Sequence, residues 1–220
     1  MTPEARKEKV YTIFCVLFSS LIMLGNLTYR KYVVLQVPFH TFELSVGTIL
    51  YPLTFLITDL IAEFYGKDKA NLCVRAAIFM NIMVAGIIAF MDYLPATSWS
   101  KTDDATFHGV FGFYTVAFIG SVIACYVSQS LDVYLYLWIR NLTRRKYLWL
   151  RNNGSTAISL FIDTCIVNLF MSLFGVSPAE YMWSLVANSY SWKLFFTICS
   201  TPIFYGSVKM MKIIFKETRV

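Results

Sequence analysis

Two carboxylates four residues apart, Asp59 and Glu63, lie inside the apolar run YPLTFLITDLIAEFYGK, residues 51–67. Spaced by about one helical turn, they share a face. An acid within a bilayer span costs roughly 2.5–3.5 kcal/mol on insertion scales, so it must face a bundle interior or a wet cavity, and it points to function. Other apolar stretches repeat the choice. In YVSQSLDVYLY, Gln129 and Asp132 stand three apart with Tyr126 and Tyr136 on or near their face. An amide and a carboxylate among rings suit a planar polar ligand, although the same tyrosines could mark a helix leaving the membrane. Asp163, in ISLFIDTCIVNLF, has Ser159 and Thr156 one and two turns back. Lys193 opens the last apolar stretch, with Thr197 and Ser200 beneath it. It would either reach outer headgroups or neutralise a buried acid. Asn26 is either interhelical glue or a ligand contact, and Glu63 lies close enough to the boundary to be solvated or to pair with Lys67. Three acids against one lysine leave negative charge for protons or for a cationic or hydrogen-bond-donating ligand to compensate.

The elements that must carry these residues are membrane helices. Of 220 residues 57% are hydrophobic and 15% charged, with mean hydropathy +0.59, outside the profile of a soluble domain. Residues 1–220 read as a single all-α integral membrane domain with six transmembrane helices at about 10–29, 42–64, 72–94, 109–139, 156–176 and 191–215. Six spans of about 20 residues with short loops use the whole length, leaving no room for a soluble domain. The first run ends in LTYRKY, without the small residues of a cleavage site, and stays as a helix. Gly66 and its basic neighbours predict a tight turn, and PATSWSKTDDATFH a loop. Residues 109–139 would make roughly 46 Å of helix, longer than a ~30 Å hydrocarbon core, so one end should tilt or project into the cytoplasm. SPAEYMWSLVANSYSW reads as an aromatic interfacial stretch, and Pro202 as a kink.

The net charge is +6 and the pI about 9.0. The basic residues flank spans, where they orient the protein and meet lipid headgroups, so nucleic acid is not the expected partner. Of 19 lysines and arginines, all but Arg30, Lys31, Lys101 and Lys193 fall in segments on one side of a six-helix layout. The positive-inside rule therefore puts both termini in the cytoplasm. In that orientation Asp59, Asp132 and Asp163 fall toward the cytoplasmic half, and Asn26 and Lys193 toward the outer half, as one elongated cavity or two layers. Five cysteines fall no more than one to a span, and His40 and His108 fall in connections, which argues against disulfides and metal sites. No Walker motif, HExxH, GxGD-like pair or Ser/His pairing is present. An intramembrane enzyme using paired aspartates is the competing class, and no cofactor is expected.

TDLIAEFYGK, SQSLDVYLYLWIR, YLWLRNNGSTAISLFIDT and WKLFFTICSTPIFYG, in that order, resemble the YhhQ-type queuosine precursor transporter family, also called the vitamin uptake transporter family. The resemblance runs from Asn26 to Tyr205. It implies a six-helix bacterial inner-membrane protein similar to the substrate-binding components of energy-coupling-factor transporters. The implied cargo is a 7-deazapurine such as 7-cyano-7-deazaguanine, 7-aminomethyl-7-deazaguanine or queuine, salvaged for tRNA modification; another vitamin or nucleobase is the alternative. A homodimer or an energising ATPase module stays open as partner. The resemblance carries over Asp59, Gln129, Asp132, Asp163 and Lys193 as polar substrate positions, with Asn26 and Glu63 as further candidates and Phe55 placed to stack on the ring. One departure is Leu160, where the family often has an amide three residues before the aspartate.

Overall fold

Long apolar stretches leave the backbone no partner but itself, and helices result. The computed structural model describes residues 3–29, 31–38, 40–112, 114–174 and 179–215. The elements are α1 (Pro3–Thr28), β1 (Tyr32–Val37), β2 (His40–Ser45), α2 (Val46–Ile49), α3 (Pro52–Tyr93), α4 (Asp104–Phe111), α5 (Tyr114–Leu142), α6 (Leu148–Leu173), a 3-10 turn (Ala179–Tyr181) and α7 (Met182–Ile214). Among the described residues four segments are long and apolar enough to cross a membrane: Glu4–Thr28, Val46–Tyr93, Phe118–Leu142 and Leu148–Leu173.

The 48-residue segment Val46–Tyr93 would be roughly 72 Å long if straight, but it folds back on itself. Gly66 has φ 82° and ψ 179°, a conformation essentially confined to glycine. On one side of it the Tyr65 hydroxyl donates to the Lys7 carbonyl at 2.8 Å, and Gly47 touches Gly25. On the other side the Tyr11 hydroxyl donates to the Lys69 carbonyl at 2.9 Å, and Asn26 meets Asn81 at 3.3 Å. Residues 46–65 therefore run against α1, and residues 67–93 run along it. The turn expected at Gly66 is a one-residue reversal inside a continuous helical assignment.

Several boundaries differ from expectation, and α1 starts at Pro3 rather than at 10. The helix expected from residue 42 starts later, because residues 32–45 form an antiparallel hairpin with Tyr32 opposite Ser45 and Val37 opposite His40. YVVLQV alternates exposed and half-buried positions, the period of a strand. Phe42 and Leu44 of β2 are buried, with Phe42 edge-on to Trp192 of α7 at 5.3 Å. The all-helical reading thus gains one small sheet. The expected helix from residue 109 begins at Tyr114, since α4 fills Asp104–Phe111. Asp103 caps α4 by accepting from the Thr106 amide at 2.8 Å, and the hydrogen bonds from Thr106 hold its carboxyl below the ordinary carboxylate range. The fifth helix starts at Leu148, not at 156, and the last at Met182, not at 191. Arg30, Lys216 and Arg219 of the charge count, and the start of the interfacial stretch at 177–178, lie outside the described residues.

The bundle has two distinct ends. At one, the Arg6 guanidinium donates to the Ile214 carbonyl at 3.3 Å, so the beginning of α1 and the end of α7 meet beside Gly66 and the α5–α6 turn. This is the basic end. At the other, the hairpin, α2 and Trp192 form a lid of protein.

Candidate functional site

Four-residue steps build the site. Along α3, Tyr51 as its N-cap residue is followed by Phe55, Asp59 and Glu63; along α5 run Ser128, Asp132 and Tyr136; along α6 run Arg151, Ser155, Ser159 and Asp163. Each series keeps roughly to one helix face. The buried residues of α6 come in pairs repeating every four positions, Arg151 and Asn152, Ser155 and Thr156, Ser159 and Leu160, Asp163 and Thr164. Seven of these eight are polar, so α6 turns a polar stripe inward. From Arg151 to Asp163 it is roughly 18 Å long.

At the hairpin end of the stripe, Asp163 is 1% exposed. Its Oδ1 accepts from the Tyr51 hydroxyl at 2.8 Å and from Ser128 Oγ at 3.1 Å. Its Oδ2 accepts from Lys193 Nζ at 2.8 Å. Lys193 is itself buried, donates also to Thr164 Oγ1 at 3.1 Å, and lies 4.8 Å from the Tyr51 ring centroid. Of the two roles open to Lys193, the structure gives it the neutralising one; it does not reach for headgroups. The pair opens on a cavity lined also by Asn26, Tyr29, Phe118 and Ser121, and a second chamber reaches from Lys193 to Tyr32 and Glu43 of the hairpin. Asn26 lines the cavity while accepting from Ser121 Oγ at 2.6 Å and donating to Asn81, so it ties α1, α3 and α5 together.

One wall of this cavity depends on two glycines. A Cβ on Gly47 would lie 2.1 Å from the Gly25 carbonyl oxygen, which is backbone and cannot swing aside. Gly47→Ala is therefore expected to push α2 off α1, cost about 1–3 kcal/mol and narrow the cavity mouth. A lower melting temperature of the purified protein together with weaker ligand binding is the expected readout; unchanged melting would show that the two segments are not in contact.

The middle layer holds Asp59 and Asp132. Both are 0% exposed and face each other between α3 and α5. Above them, the Gln129 amide donates to Thr54 Oγ1 at 3.1 Å, and its carbonyl accepts from Thr58 Oγ1 at 2.9 Å. Phe55 is fully buried and edge-on to Tyr51 at 5.8 Å. Neither of these two, nor Asp59 or Asp132, lines the cavity. At the basic end, Glu63 accepts from Arg151 at 2.7 Å and from the Tyr136 hydroxyl at 3.0 Å, with Arg140 at 3.6 Å. The Arg151 guanidinium stands 5.5 Å from the Tyr136 ring centroid. Glu63 is thus neither solvated nor paired with Lys67, whose ammonium lies over the Tyr134 ring at 5.8 Å.

The candidate residues are therefore layered. Asn26, Asp163 and Lys193 meet at the cavity, Gln129, Asp59 and Asp132 lie beneath it, and Glu63 closes the basic end. Asp163 joins the hairpin end because α6 begins eight residues earlier than expected, which moves it roughly 12 Å further from the basic end. Sequence reasoning missed Tyr51, Ser128, Arg140 and Arg151. Tyr51 and Arg151 were legible as four-residue companions of Asp59 and Asp163 once the helices are extended.

A family model described as "Putative vitamin uptake transporter" matches residues 45–207, the part of the chain that holds every layer of the stripe. The chain belongs to that family. It is a membrane transporter and not an enzyme. A protein of Bacillus subtilis (strain 168) described as "Probable queuosine precursor transporter" is 31% identical over 172 residues, covering 76% of this chain and 72% of the relative. A protein of Haemophilus influenzae (strain ATCC 51907 / DSM 11121 / KW20 / Rd) with the same description is 26% identical over 170 residues, covering 76% and 69%. No solved structure matches the transporter.

Proposed function

We propose that this transporter imports a queuosine precursor, a 7-deazapurine such as 7-cyano-7-deazaguanine, 7-aminomethyl-7-deazaguanine or queuine, across the bacterial inner membrane, and binds it in the hairpin-end cavity. The buried Lys193–Asp163 pair at that cavity carries the reading. A carboxylate offers about four acceptor positions and an ammonium three donors. Tyr51, Ser128 and Lys193 occupy three of the former, and Asp163 and Thr164 two of the latter. One acceptor and one donor remain side by side. The ring N–H and the adjacent carbonyl of a guanine-like edge present the complementary pair, with Tyr29, Tyr51 and Phe118 available as apolar or stacking walls.

On this reading residues 46–65 and 67–93 make separate passes, and α7, which is not among the four apolar segments, joins α1, α5 and α6 to make six. The basic end then faces the cytoplasm, the cavity opens outward, and the stripe of α6 leads inward from it. That layout is the one expected of a relative of energy-coupling-factor substrate-binding components.

The test is binding to the purified chain. Radiolabelled 7-deazapurines are expected to bind saturably, to be recovered chemically unchanged, and to be displaced by one another but not by adenine, which lacks the carbonyl and the pyrimidine-ring N–H beside it. Saturable binding of another vitamin with none of the three deazapurines would move the cargo to that class.

A further inference from the structure

The middle layer is built unlike the other two. Lys193 and Asp163 satisfy each other, and so do Glu63 and Arg151. All four carboxylate oxygens of Asp59 and Asp132, by contrast, lack a hydrogen-bond partner among the described residues, as does the buried Ser159 Oγ. The Ser155, Thr156 and Ser159 hydroxyls of α6 lie beside the Asp132 carboxylate. Five side chains from three helices thus converge as a shell of oxygen donors, with the buried Ser159 hydroxyl turned toward Asp132. An apolar interior does not tolerate acceptors left unpaired.

Formal charge says what is missing. The titratable groups facing the pair are Glu63, Arg151 and Tyr136, with Arg140 behind Glu63. Three carboxylates against two guanidinium groups leave one negative charge in a buried cluster. One positive charge balances it, and a divalent ion would overshoot.

We infer that Asp59, Asp132 and the α6 hydroxyls form a site for a single monovalent cation, taken by oxygen donors as a proton shared between the carboxylates or as a sodium ion. This deepens the transport reading and rests on it for its purpose. The site lies in the stripe directly beneath the cargo cavity, and Ser128 and Asp132 are neighbours one turn apart on α5, the first bonded to Asp163. Occupancy of the lower site is thereby linked to the geometry of the upper one, as coupling of cargo to an ion gradient requires.

The experiment needs no cargo, so its failure is distinct from a failure of the deazapurine assignment. Purified full-length protein in nanodiscs is examined in two ways: by equilibrium binding of radioactive sodium, and by infrared spectroscopy of the carboxyl C=O stretch in sodium-free buffer near neutral pH. A sodium site predicts saturable binding of one ion per chain, lost in Asp132→Asn and weakened about tenfold in Ser159→Ala. A proton site predicts a protonated-carboxyl band lost in Asp59→Asn or Asp132→Asn and retained in Glu63→Gln. Asparagine keeps the shape and removes the surplus charge, so these variants are expected to fold, and Ser159→Ala serves as an independent second probe. Absence of both sodium binding and the carboxyl band, or either signal surviving unaltered in Asp59→Asn and Asp132→Asn, overturns the inference.

Discussion

Lys193→Met is expected to reduce both stability and deazapurine uptake, whereas adding Asp163→Asn to it restores the stability and not the uptake. The single change strands Asp163, a carboxylate almost wholly out of solvent, with only the Tyr51 and Ser128 hydroxyls to answer its charge. Breaking a buried pair by removing one partner costs about 3–5 kcal/mol, whereas removing both charges is often neutral or stabilising. Uptake follows a different rule. The double variant retains neither the free ammonium donor nor the charged acceptor, and the loss of a few kcal/mol of ligand contacts at about 1.4 kcal/mol per tenfold puts uptake down by roughly a hundredfold or more. Thermal melting of the purified protein and uptake of labelled cargo, measured in both single variants and the double, form a cycle whose two readouts part company. Normal uptake by the double variant would remove the pair from the site.

The carboxylates were legible as functional because nothing else explains their cost in an apolar stretch. Their grouping was not. It depends on helix starts, and the starts were hidden by residues that read locally as loop. RNNG, at 151–154, carries an arginine, two asparagines and a glycine, yet it is helical because Glu63, 88 residues away, supplies the charge that lets Arg151 be buried. The hairpin was hidden in the opposite way. Phe42 and Leu44 looked like the beginning of a span, and only contact with Trp192 from the far end of the chain makes a strand the better use of them. Gly66 was read as a turn from its type alone, since no other residue takes its backbone angles cheaply. Long-range partners decided the features that were missed; single-residue chemistry decided those that were seen.

The same partnership makes Arg151 the most exacting position at the basic end. Arg151→Met leaves Glu63, Asp59 and Asp132 answered only by Arg140, which stands 3.6 Å from Glu63 and is less buried. The buried cluster then carries two surplus negative charges where it had one, and the Tyr136 ring loses the guanidinium stacked near it. A stability loss of about 3–5 kcal/mol follows from stranding Glu63, enough to lower the amount of protein recovered from membranes. Glu63→Gln, introduced second, removes one negative charge and should recover most of that loss, although it leaves Arg151 unrestored. Arg151→Lys keeps the charge but not the planar fork or the stacking, and should fall between wild type and Arg151→Met. Arg140→Met, acting on the longer contact of 3.6 Å, should cost less than either Arg151 variant. Melting temperatures in the order wild type, Arg140→Met, Arg151→Lys, Arg151→Met, with rescue by Glu63→Gln, are the expected result. If Glu63→Gln worsens Arg151→Met, charge does not govern this layer, and the net balance that calls for a cation one layer above it falls as well.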